Sequence, residues 1–240
     1  MKDYSIFASI ALASALLFSP ISTLAQSAEG LPPHVTDHSH SEAPNDHALG
    51  SKDAATTMIV WASVTCPHCG DWFSTEWPLV KSELVETGKL RFIFREFPTA
   101  PPELSMTGFR LANCAPTADY MSVIEYQMEH QDEIFKAAQE GRAPEIYREI
   151  AKLGGMETDE AISTCLRNPD MTTYIKDNVD RATLANISGV PAFLINGQPY
   201  KDKQDAQSLI KLIKEMDENA LSAQEANTTS EDKISKSDQD

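Results

Sequence analysis

The apolar positions of this chain change period several times, and the changes mark its elements. Met58-Ile59-Val60-Trp61-Ala62 is an unbroken apolar run with β-branched and aromatic members, the pattern of a central strand covered on both faces. From Phe73 the spacing becomes helical through Trp77, Val80 and Leu84, so a helix starts just after the strand. Pro78 lies inside that pattern and predicts a kink; Gly88 predicts the end. Leu90 to Phe97 reads as a second strand, completing a β-α-β unit. Residues 102–187 contain no convincing strand. Breaks at Pro116, Gly141-Arg142-Ala143-Pro144, Gly154-Gly155 and Asn168-Pro169 divide them into about four helices and a longer linking helix near 170–186. Ala192-Phe193-Leu194-Ile195 is a buried strand, Asn196-Gly197 a hairpin turn, and Pro199-Tyr200 the returning arm. Ala206, Leu209, Ile210, Ile213 and Met216 form the stripe of a last helix.

The ends lack such patterning. Residues 1–25 read as a signal peptide: Lys2 near the start, an apolar run from Ile6 to Phe18, then Thr23-Leu24-Ala25 with cleavage after Ala25. The run is too short to span a bilayer comfortably, so export to the periplasm is the expectation. Residues 26–47 are polar and read as a disordered linker; 217–240 are acidic and read as a disordered tail. The folded domain is expected over 48–216, with the helical insertion at about 100–175. The chain has 20 Lys and Arg against 36 Asp and Glu, a formal charge of −16. Phosphate backbones repel such a surface, which argues against nucleic acid as a partner.

Export gives meaning to the four cysteines, Cys66, Cys69, Cys114 and Cys165. Cys66-Pro67-His68-Cys69 stands where the first strand passes into a helix. On a first helical turn, residues three apart share a face, at a separation that a disulfide spans. Unpaired N–H groups and the helix dipole stabilise a thiolate at the first cysteine. His68 adds a hydrogen bond or positive charge there, and Pro67 occupies a position where its missing N–H costs nothing. Cys66 is therefore the expected reactive sulfur and Cys69 the buried resolving thiol. Zinc would ask for a second such pair or a Cys/His set, and Cys114 and Cys165 do not make a CxxC. His34, His38, His40 and His47 read as members of a solvated linker rather than a loose metal cluster, and His130 as an ordinary helical histidine. Val190-Pro191 stands directly before the last buried strand, the strand position that tolerates proline, and that bond can be cis.

This set of features resembles the DsbA-like family of the thioredoxin superfamily, in its bacterial exported branch. The likeness covers about 48–216. It rests on the strand leading into Cys66-Pro67-His68-Cys69, Phe97-Pro98 after the second strand, the helical block, and Gly189-Val190-Pro191 before Ala192-Phe193-Leu194-Ile195-Asn196-Gly197. It implies an α/β thioredoxin-like fold with an inserted helical subdomain. It implies Cys66 as nucleophile, Cys69 as resolving cysteine, Pro191 as a cis-proline facing them, and Val190 in contact with substrate backbone. Pro67-His68 between the cysteines and Val190 before the proline match the family's oxidases, which introduce disulfides into cysteine-containing exported proteins and are reoxidised by a DsbB-like membrane quinone reductase. The redox disulfide itself is the reactive group, with no other cofactor. Some relatives carry a second disulfide in the helical block, which implies a Cys114–Cys165 bond, with two buried thiols as the alternative. One departure is the first strand: Trp61-Ala62 stand where relatives often have an acidic residue or Phe, so a buried acid is not assignable. A reductase or isomerase of the same fold, or a non-enzymatic metal-binding or surface interaction protein, are the alternative functions.

Overall fold

The computed structural model describes residues 37–237. In chain order these form β1 (His47–Leu49), β2 (Thr56–Ala62), α1 (Pro67–Thr75), α2 (Trp77–Val80) running into a π-helical turn at Lys81–Val85, and β3 (Leu90–Glu96). The helical block follows: α3 (Pro102–Cys114), α4 (Tyr120–Glu129), α5 (Gln131–Gln139), α6 (Ala143–Leu153) and α7 (Asp159–Arg167). Then come α8 (Pro169–Leu184), β4 (Ala192–Ile195), β5 (Gln198–Tyr200) and α9 (Ala206–Ser237).

The sheet order is β1-β3-β2-β4-β5. β2 runs parallel to β3 and antiparallel to β4, so the apolar run read as a central strand does lie at the centre. Its alternation divides the core. Met58, Val60 and Ala62 face the larger cluster with Phe92, Phe94, Phe193 and Ile213. Ile59 and Trp61 face Ile93, Leu194 and Ala182 on the α8 side. The β4–β5 turn has φ of 48° at Asn196 and 76° at Gly197. Positive φ at both central residues is what the favoured two-residue hairpin demands.

Pro78 has the anticipated effect. α1 ends at Thr75 and a new helix begins at Trp77 with Pro78 in its first turn, since proline can neither donate to nor sit beneath the preceding turn. The block holds five helices before α8 rather than four. The extra break is at His130 (φ −112°, ψ 25°), which neither glycine nor proline announces. There the ring stacks on Tyr126 at 4.0 Å, and its Nδ1 lies 2.8 Å from the Tyr126 carbonyl.

Two expectations about the ends need correction. The signal-peptide reading and the first half of the linker fall outside the described residues, but 37–47 are not a free linker. Ser39 and Ala43 are buried, and Arg95 of β3, itself buried, pairs with the fully buried Asp46 carboxylate at 2.7 Å. Arg95 also donates to the carbonyls of Ser39 and Ser41 and lies 4.9 Å over the Trp61 ring. Arg91, four residues earlier and so on the same face, pairs with Glu42 at 2.6 Å. Buried charges need such partners, and the polar composition that suggested disorder supplies them. At the other end, α9 continues to Ser237, through the stretch expected to be a disordered tail. Ala, Glu, Gln and Lys are good helix formers, and a helix does not need an apolar stripe to propagate. No helix among the described residues is long and apolar enough to cross a membrane.

Candidate active site

β2 delivers the chain to Ser63 and α1 starts at Pro67, so the CxxC motif occupies the strand-to-helix junction. Cys66 is the N-cap residue in extended conformation (φ −93°, ψ 118°), with Pro67 at the first helical position. The Cys66 carbonyl accepts from the N–H groups of Cys69 and Gly70, both at 3.0 Å. Its sulfur stands at the helix N-terminus, where partial positive charge favours an anion. Cys66 is 9% exposed and Cys69 is 0% exposed; both are free thiols. Burial pushes the Cys69 thiol well up from its ordinary value, opposed by the N–H of Ser63, which donates to its sulfur at 3.4 Å. Pro67 and His68 are exposed. Among the described residues no hydrogen bond joins the His68 ring to Cys66.

The opposite wall comes from the other end of the domain. The Val190-Pro191 peptide bond is cis, and the Cys66 thiol donates to the Val190 carbonyl at 3.5 Å. The structure thus brings together Cys66, Cys69, Val190 and Pro191. Cys114 and Cys165 lie apart from them, joined to each other as a disulfide between α3 and α7 with Cα atoms 5.9 Å apart. Of the linker histidines, His47 stacks on Tyr120 with ring centroids 3.6 Å apart, while His38 contacts Ser41 and His40 contacts Ser39. Among the described residues no group of His, Cys, Asp or Glu is arranged to hold a metal.

Sequence reasoning missed two polar groups, one of them beside the site. Gln131, the first residue of α5, donates from its side-chain amide to the Cys66 carbonyl at 3.1 Å. Its faint signal is Gly70, where a Cβ would fall 2.7 Å from the Gln131 side chain. The other is a buried acid. It is absent from β2, but Glu96 at the end of β3 is fully buried. It accepts from Tyr120 at 2.6 Å, from Asn113 at 2.9 Å and from Asn178. Burial and then the Glu96 charge drive the Tyr120 phenol well above its ordinary range. Glu96 thereby ties α3, α4 and α8 to the strand end.

Comparison with known proteins agrees with this architecture. A Rickettsia bellii protein named for protein-disulfide oxidoreductase activity is 29% identical over 176 residues, 71% of this chain and 66% of that protein. The chain therefore spans just under two thirds of its relative's length. The crystal structure of Wolbachia pipientis α-DsbA1 superposes with a TM-score of 0.67 at 22% identity, covering 76% of this chain and 96% of that one. Oxidised BdbD from Bacillus subtilis gives 0.62 at 18% identity, covering 71% and 92%. At these identities the structural likeness carries the fold, and it bears out the expected α/β thioredoxin-like fold with an inserted helical subdomain. The Thioredoxin family profile matches residues 42–215, most of the chain, and the chain belongs to that family.

Proposed function

We infer that this protein is a thiol:disulfide oxidoreductase of the dithiol oxidase type, introducing disulfides into cysteine-containing exported proteins through Cys66 and Cys69. The observation that carries the reading is the asymmetry of the pair. One sulfur sits at a helix N-terminus, slightly exposed and 3.5 Å from the carbonyl before the cis-proline; the other is sealed beneath it with its ionisation opposed.

In the oxidised enzyme a substrate thiolate attacks the Cys66 sulfur. The Cys66–Cys69 bond breaks, a substrate–Cys66 disulfide forms, and the electron pair departs on Cys69, which takes up a proton from water. The substrate's second thiolate then attacks its own sulfur in the mixed disulfide, and Cys66 leaves as the stabilised thiolate. The substrate has lost two electrons and the enzyme has gained them. The Val190 carbonyl, 3.5 Å from the Cys66 sulfur, and the cis Pro191 after it support a substrate backbone docking against this loop, with Pro191 facing the cysteines. His68, exposed on the first turn, serves in solvent-facing stabilisation of the Cys66 anion. Pro67-His68 and Val190 favour oxidation over reduction or isomerisation, following the family resemblance. A DsbB-like membrane reoxidant closes the cycle, and the periplasm is the compartment where it would run.

Replacing Cys66 with Ser should abolish oxidation of a dithiol peptide, whereas Cys69→Ala should accumulate mixed disulfides with cysteine-containing exported proteins. Full activity in the Cys66→Ser variant would overturn the reading. A glutathione titration separates oxidase from reductase by the direction of the equilibrium.

A further inference from the structure

The leaving sulfur of that reaction is buried, and its polar surroundings are sparse. When the Cys66–Cys69 bond breaks, negative charge develops on Cys69 in a site that disfavours it. The backbone N–H of Ser63 points at that sulfur from 3.4 Å. Ser63 is itself clamped through its side chain. Its hydroxyl lies 2.9 Å from the Thr99 hydroxyl and 3.2 Å from the Thr65 hydroxyl, and those two are 2.8 Å apart. The three hydroxyls close a triangle bridging the β2–α1 junction to the segment after β3. The Ser105 hydroxyl holds its far corner by donating to the Thr99 carbonyl at 2.9 Å. Ser63, Thr65 and Ser105 are nearly or wholly inaccessible.

A hydroxyl triangle needs a reason where two of its members, Ser63 and Thr65, are buried and the third, Thr99, is half-buried. Threonine to valine is nearly isosteric, and aliphatic groups would fill this volume without the cost of desolvating the buried hydroxyls. What aliphatic groups would not supply is direction: hydrogen bonds fix the Ser63 side chain, and through it the peptide whose N–H faces Cys69. We propose that Ser63, Thr65 and Thr99 are positioning residues that aim this N–H at the Cys69 sulfur, stabilising the charge it carries while the disulfide opens or closes. The proposal rests on the thiol–disulfide reading of the site. The charge exists only in passing, because Cys69 is a neutral thiol before the step or after it and part of a disulfide on the other side. The donor therefore speeds both directions equally and leaves the equilibrium where it was.

The test uses the full chain and glutathione as the probe. It measures the rate at which reduced glutathione opens the Cys66–Cys69 disulfide, the rate at which Cys69 displaces glutathione from Cys66, and the equilibrium between them. Thr99→Val and Ser63→Ala should slow both rates by a common factor of about three to ten, the worth of one misdirected hydrogen bond. The equilibrium should be unchanged, and Thr99→Ser, which keeps the hydroxyl, should restore both rates. Unchanged rates in folded variants overturn the proposal. So does a displaced equilibrium or an unequal slowing, which marks general damage to the fold. If Thr99→Val fails to fold, Ser63→Ala and Thr99→Ser decide the matter. Wild-type protein that exchanges with glutathione but never oxidises a dithiol peptide would sink the oxidase reading and leave this test standing.

Discussion

The side-chain amide of Gln131 donates to the main-chain carbonyl of Cys66 across 3.1 Å, joining the inserted helical subdomain to the turn that carries the CxxC motif. Gly70 makes room for it: a methyl there would fall 2.7 Å from the Gln131 side-chain amide and press it off its acceptor. Gly70→Ala should therefore cost about 1–3 kcal/mol of stability despite alanine's better helix propensity, and most of that cost should vanish when Gln131 is already Ala. A double-mutant cycle by urea unfolding measures the coupling. Additive losses would mean that the two residues do not oppose each other.

Asp46 holds the buried Arg95 guanidinium, and both side chains are wholly inaccessible. Removing one partner of such a pair leaves an uncompensated charge, so Asp46→Ala should lower unfolding free energy by about 3–5 kcal/mol. Exchanging Arg95 and Asp46 together for apolar residues should cost much less. Chemical denaturation of the two variants checks the order.

The Cys114–Cys165 bond closes a loop of 51 residues. Loop-closure entropy puts its contribution at about 4 kcal/mol, with measured disulfides of this kind commonly falling nearer 2. Cys114→Ser with Cys165→Ser should lower the melting temperature while leaving the glutathione equilibrium of Cys66 and Cys69 in place, because the bond lies between α3 and α7 rather than at the α1 turn.

The raised ionisation of Cys69 sets a pH dependence. Its folded-state value lies far above the ordinary thiol value of 9.0, so its contribution is fully present below about pH 9. Above that, the unfolded chain ionises and the folded one does not, and stability falls by about 1.4 kcal/mol per pH unit. The clean comparison is Cys66→Ser against Cys66→Ser with Cys69→Ser, where the buried tyrosines cancel. The difference in unfolding free energy should be flat to about pH 9 and decline beyond it; a flat difference to pH 11 would contradict the burial assigned to this thiol.

Much of this molecule was legible in advance where one physical signal dominates. β2 announces itself because a strand covered on both faces has no polar alternation to blur it. The hairpin follows from Asn196-Gly197, and the kink from Pro78. Long-range pairings were not legible: nothing near Asp46 says that Arg95 will meet it, and polar residues destined for a buried ion pair look like linker. The His130 break was hidden because a histidine ring and a carbonyl, not a breaker residue, make it. At the site, residue types and spacing gave Cys66, Cys69 and Pro191. Gln131, Ser63, Thr65 and Thr99 act through direction rather than type, and direction belongs to the folded chain alone.

The two walls of the reactive cleft are made at very different moments of a chain's growth. Cys66 and Cys69 emerge early, and β3 follows soon enough to pair with β2. The Val190 carbonyl arrives only after the whole helical block, when β4 adds to the other side of β2. Closing so long a loop is the slow kind of step in folding. A nascent or truncated chain therefore carries the two thiols without the cleft that disciplines them. The seating of β4 makes chemical competence coincide with the completion of the fold.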